Sequence, residues 1–89
     1  MAQALSDQER VIKLIARARL LIAIDDEMPT EIKLNTQPML KMLEAAIGDD
    51  DGADQQRASG YYSALYAELA PYPDIEALLS AMRVFLPYL

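Results

Sequence analysis

The sequence predicts an all-α protein, an antiparallel up-down four-helix bundle built as a single domain over residues 1–89. Three observations carry that prediction. Apolar residues recur at spacings of three and four through four separate segments. No segment alternates apolar and polar residues over a useful length, and no hairpin turn joins two β-rich runs. Short or moderate loops connect the four segments, so consecutive helices fold back on one another.

Helix 1 is predicted over 7–24. Ser6 followed by Glu9 is a capping box, in which hydroxyl and carboxylate each satisfy a backbone N–H of the first turn. Val11, Ile12, Leu14, Ile15, Ala18, Leu21 and Ile22 then fill one broad arc at about 100° per residue. Arg10, Lys13 and Arg17 fall on the opposite side. Arg19 projects near Ile12 and Ile15, so it either snorkels along its methylenes or marks the edge of a contact surface.

The run Asp25-Asp26-Glu27-Met28-Pro29 ends helix 1. The stretch to Gln37 has no clear period, although Glu31 to Leu34 can form an isolated turn. Helix 2 is predicted over 37–47, with Thr36 as N-cap and Pro38 in the first turn, where its missing N–H costs nothing. Met39, Leu40, Leu43, Ala46 and Ile47 form its apolar face, and Gly48 is a left-handed stop.

Helix 3 is predicted over 54–69, with Asp54 as a cap. Tyr61, Tyr62, Leu65, Tyr66 and Leu69 line one side, and the small residues Gly60, Ser63, Ala64 and Ala67 line the other. Pro71-Tyr72-Pro73 breaks the chain. Helix 4 is predicted over 74–86, where Ile75, Leu78, Leu79, Met82, Phe85 and Leu86 give the cleanest amphipathic pattern, and Pro87 stops it.

Composition narrows the function. An apolar share of 53% argues against disorder. The chain has no Cys and no His, which removes disulfides, thiolate nucleophiles, the commonest general base and the commonest metal ligand. Ser59, Ser63 and Ser80 therefore have no histidine to activate them, and the three glycines form no phosphate loop. The expectation is a protein that is not an enzyme and takes no cofactor. A net charge of −6 disfavours nucleic acid, whose phosphates need clustered Lys and Arg. The N-terminus has no basic region leading into an apolar stretch. The longest uninterrupted apolar run is Leu20 to Ile24, against the roughly 20 residues of a membrane span. These features predict a cytoplasmic chain with no transmembrane segment, working as a monomer or a weak dimer.

Three features are candidate sites. Asp49-Asp50-Asp51-Gly52 invites a calcium reading, but with Gly52 at the loop's glycine position the first ligand is Ile47 and the last is Ala58, so no metal site is expected. Charge is uneven. Residues 1–24 hold four bases against two acids, and the remainder holds four bases against twelve acids. A basic helix 1 either stabilises an acidic bundle or turns toward an anionic membrane surface. The aromatic residues Tyr61, Tyr66, Tyr72, Phe85 and Tyr88 are the candidate partner-binding set, because such side chains give large contact area at low entropy cost. Tyr62 is assigned with Leu65 to the core. Tyr61 and Tyr66 flank it with wet hydroxyls, and Glu68 and Glu76 fall on exposed faces.

The order of features also resembles a known family. A first amphipathic helix leads through an acidic, proline-containing turn into Glu31-Ile32-Lys33-Leu34-Asn35. Then come Met39-Leu40-Lys41-Met42-Leu43-Glu44-Ala45-Ala46-Ile47, a polar loop, Tyr61-Tyr62-Ser63-Ala64-Leu65-Tyr66 and a last amphipathic helix. Over roughly residues 8 to 86 this is similar to the enterocin A-type immunity proteins of lactic acid bacteria, which protect producers from pediocin-like bacteriocins. The resemblance implies a cytosolic four-helix bundle that recognises a bacteriocin-engaged mannose permease and blocks the pore from inside. It also implies that the C-terminal half sets specificity, here Tyr61, Tyr62, Tyr66, Tyr72, Phe85 and Tyr88. The chain departs from the family in its acidic balance and in ending soon after the last helix. The alternative is a small acidic helical interaction module, an inhibitor, adaptor or secretion chaperone, bound to a soluble protein partner.

Overall fold

Four helices form in a computed structural model that describes residues 5–48 and 54–89, with the backbone alone for Asp54. They are α1 (Asp7–Ile24), α2 (Thr30–Gly48), α3 (Asp54–Leu69) and α4 (Pro73–Phe85). There is no strand among the described residues. Each helix packs on two others, in the ring α1–α2–α3–α4 and back to α1. Cross-helix hydrogen bonds fix the directions. Lys33 Nζ of α2 donates to the Ala23 carbonyl near the end of α1, and Gln8 Nε2 of α1 donates to the Ile47 carbonyl near the end of α2. These two helices are therefore antiparallel, and each supplies a donor to the other's unsatisfied last turn.

The core follows the apolar arcs. Val11, Ile15, Ala18 and Ile22 of α1 meet Leu40, Leu43 and Ile47 of α2, Ala58, Tyr62, Leu65 and Leu69 of α3, and Ile75, Leu79 and Met82 of α4. Met28, in the α1–α2 turn, is also buried. That turn is pinned by Asp25 Oδ1, which accepts from the Glu27 and Met28 backbone N–H groups at 2.9 and 3.1 Å. At the start of α1, Ser6 Oγ accepts from the Glu9 N–H as predicted. The Glu9 carboxylate accepts from the Ser6 hydroxyl, 3.2 Å away, in place of the backbone N–H that the capping box predicts.

Helix 2 differs from its predicted bounds. It starts at Thr30, seven residues before 37, with the Pro29 carbonyl accepting from the Ile32 and Lys33 N–H groups. Thr36 is not a cap. It is fully buried within the helix, and its Oγ1 donates to the Ile32 carbonyl at 2.7 Å. Pro38 sits in the helix interior. The carbonyl it leaves without an N–H partner belongs to Leu34, whose side chain is 69% exposed, so water reaches that side of the helix. Gly48 is the last helical residue, and no described glycine has a positive φ. Arg19 resolves its two readings by joining α2. Its Nε donates to Gln37 Oε1 at 3.1 Å, and Gln37 Nε2 donates to the Arg19 carbonyl at 2.8 Å.

The Asp49–Asp51 run lies outside the described residues, and so does the Asp54 side chain with its capping role. No group of three carboxylates among the described residues is placed to hold a metal ion. No described helix is long and apolar enough to cross a membrane.

Candidate functional site at the seam of α3 and α4

The seam between α3 and α4 is the thinnest of the four in backbone contact. Its gap is filled by rings. The Pro71-Tyr72-Pro73 turn reverses the chain, and Pro73 takes the first helical position, where a missing N–H is harmless. Residues of α3 then face residues of α4 at nearly equal distances from the turn, Tyr66 and Glu76 each five from Pro71, Tyr62 and Leu79 nine and eight. Tyr66 OH donates to Glu76 Oε1 at 2.6 Å, and Tyr62 OH donates to the Leu79 carbonyl at 2.5 Å. The two rings lie 6.1 Å apart, tilted by 32°. Ser80, one turn beyond Glu76, donates to the same Oε1 at 2.8 Å. A groove of about 250 Å³ opens beside these rings, lined by Tyr62, Ser63, Tyr66, Arg83 and Leu89.

The electrostatics of this cluster point away from proton transfer. Hydrogen bonds from Tyr66 and Ser80 hold the Glu76 carboxyl below its ordinary value of 4.5. The Glu76 carboxylate raises the Tyr66 phenol above its ordinary value of 10.0, with Ser80 opposing. Burial raises the Tyr62 phenol, against the pull of the Arg83 charge. A general acid or base needs its pKa brought toward the working pH. Here carboxylate and phenol move apart, so at neutral pH the cluster is a fixed array of charge and hydrogen-bonding groups. Such an array is suited to recognition.

A pH dependence follows from those directions. A depressed Glu76 contributes stability that is present above its ordinary value and lost as acid takes the pH down through its folded value. A raised Tyr66 contributes stability that is present below its ordinary value of 10.0 and lost as the pH rises through its folded value. Thermal melts are expected to stay level from roughly pH 5 to pH 10 and to fall on either side. Tyr66→Phe should shallow both falls. Part of the alkaline fall should survive in that variant, because burial also raises the Tyr62 and Tyr88 phenols.

The candidate aromatic set is spread over the bundle. Tyr66 lines the seam groove, and its hydroxyl is bound by Glu76 where a wet one was predicted. Glu76 is half-buried in that contact, not on an exposed face. Tyr61 lies about 100° from Tyr62 on the other flank of α3 and is half-buried against the core. Tyr72 lines a separate end cleft of about 500 Å³ with Leu21, Ile24, Ile75 and the acids Asp25, Glu27 and Asp74. Phe85 lies under the Arg10 guanidinium of α1, 5.4 Å from ring centre, and Tyr88 packs half-buried beside the core. Tyr62 is core, 3% exposed. Glu68 is half-buried, and its Oε2 is shielded without a hydrogen-bond partner among the described residues.

Sequence reasoning placed Glu76 on an exposed face, weighed Ser80 only as a nucleophile and passed over Arg83. Counting outward from the proline turn pairs Tyr66 with Glu76, and that symmetry was the available signal.

No protein-family model, no curated protein and no solved structure matches this chain.

Proposed function

We propose that this chain is a binding protein for another protein, acting as a cytoplasmic immunity protein against a pediocin-like bacteriocin through the engaged mannose permease. The observation that carries the reading is the α3–α4 seam. On the C-terminal half, where the resemblance places specificity, a groove presents phenol rings, a serine hydroxyl and the Arg83 cation side by side. Tyrosine and arginine are the side chains that most often anchor protein interfaces. The four-helix architecture, which the resemblance also implies, supports the same reading. The Tyr66–Glu76–Ser80 cluster holds the groove's rim in place, so a partner meets a preformed surface.

The test is protection. Expressed inside a sensitive strain, the chain is expected to raise the dose of pediocin-like bacteriocin that kills, and purified chain added outside is expected to do nothing. Arg83 is exposed and Ser63 is exposed, so Arg83→Ala and Ser63→Tyr should leave the melt nearly unchanged. Each should lower protection if the groove is the contact, by roughly five- to thirtyfold for about 1–2 kcal/mol of lost binding. A folded, expressed chain that gives no protection sinks the immunity reading. Full protection by both variants moves the contact away from the seam.

A further inference from the structure

On the side of the ring opposite α3, helix α1 carries an outward stripe that no other helix covers. At about 100° per residue, Lys13, Ala16, Arg17, Leu20, Ala23 and Ile24 fall on one outer face, and all six are exposed. Leu20 is 54% and Ile24 63% exposed, so two large apolar side chains stand in water at the C-terminal end of that stripe. The order along the stripe is what gives it meaning. Its N-terminal part is net basic, through Lys13 and Arg17 against Glu9, which falls on the same outer face one turn earlier. Its C-terminal part is apolar, and the turn just beyond carries the exposed acids Asp26 and Glu27, net acidic against the Lys33 ammonium that reaches the Ala23 carbonyl from α2.

A surface net basic at one end, net acidic at the other and apolar between is complementary to itself when turned through a two-fold axis. We infer that the α1 stripe is a self-association surface, on which a second copy of this chain docks antiparallel. Lys13 and Arg17 of each copy then lie against Asp26 and Glu27 of the other, around a Leu20–Ile24 contact. The antiparallel arrangement follows from charge. A parallel pair would lay Lys13 and Arg17 on their own counterparts, and like charges in register repel. It is also the isologous, closed arrangement that stops at a dimer. An anionic membrane would attract the two bases but repel the acids at the far end of the same stripe. Because α1 lies across the ring from α3, the dimer leaves the α3–α4 groove open, so this inference stands apart from the proposed function.

A single-helix contact covers less than the roughly 800 Å² per partner of a standard interface. The expected dimer is therefore weak, dissociating at roughly 10 µM to 1 mM, and it should weaken further as salt screens its charged ends. Sedimentation equilibrium on the full chain reads this directly. Two charge-reversed chains make the test specific, Lys13→Glu with Arg17→Glu, and Asp26→Lys with Glu27→Lys. Circular dichroism should show both folded, since every changed position is exposed. Each chain alone is expected to dimerise at least about tenfold more weakly than the native one, because its ends now repel. An equimolar mixture should regain dimers, because opposite charges meet at both ends of the mixed pair. Leu20→Asp should leave a monomer. The inference is overturned by a native chain that stays monomeric at about 1 mM, by reversed chains that dimerise as the native chain does, or by a mixture that stays monomeric. Native chain that binds anionic vesicles without self-associating overturns it in favour of a membrane.

Discussion

Tyr62→Ala is expected to cost about 3–5 kcal/mol of folding stability, the range for removing a large buried ring. A domain of this size has on the order of 5–15 kcal/mol in total, so the variant should sit near the edge of folding at 37 °C. The size of the effect comes from position. Tyr62 is 3% exposed, fills the thinnest seam of the bundle and touches α4 through its hydroxyl. Truncation leaves a void that the flanking helices close only by shifting, and Tyr66 loses the ring it stacks beside. Tyr62→Phe separates the two contributions. It keeps the ring and removes the hydrogen bond to the Leu79 carbonyl. That carbonyl still has its helical partner four residues on, so it is not orphaned, and the loss should be about 0.5–1.5 kcal/mol. Urea unfolding of the three proteins at one pH measures both steps. A loss under about 1 kcal/mol for the alanine variant would mean that the ring does not hold the seam.

The contrast between Tyr62 and Tyr66 marks how far the sequence could be read. Helical period separates inside from outside, and it placed Val11, Ile15, Leu40, Leu43, Leu65, Leu79 and Met82 in the core, where they lie. The same period assigned Tyr62 to the core and Tyr66 to its flank, and both assignments hold. Period says nothing about what a flanking group meets on the next helix. Whether Tyr66 is wet or bound depends on how closely α3 approaches α4 and on the register set by the proline turn. That is a tertiary property, and it makes Glu76 a partner and not a solvated acid. Arg19 shows the same limit. Its angle put it at the edge of the apolar arc, but its partner Gln37 is 18 residues away on a helix whose start was misplaced.

The misplaced start of α2 yields the second large effect, one with an unusual sign. Thr36 followed by Pro38 has the local chemistry of an N-cap and first turn, and a reader of that segment alone starts the helix there. The structure runs helix through both residues from Thr30, because Ile32 and Thr36 lie one turn apart below Leu40 and turn inward with it. Burial of that face outweighs an unfavourable proline. Pro38→Ala is therefore expected to stabilise the chain. It restores an N–H aimed at the Leu34 carbonyl and removes a ring from a helix interior, a gain of up to about 3 kcal/mol. Two terms reduce it. The alanine chain has more freedom to lose from the unfolded state, about 0.4–1 kcal/mol, and the exposed Leu34 side already gives that carbonyl access to water. A net gain of about 1–2 kcal/mol remains, read as a higher urea midpoint at an unchanged slope. The two starts predict opposite outcomes. With Thr36 as a true cap, Pro38 would be an asset to the first turn, and its removal would be neutral or harmful. A lower midpoint for Pro38→Ala would therefore return the start of α2 to residue 37.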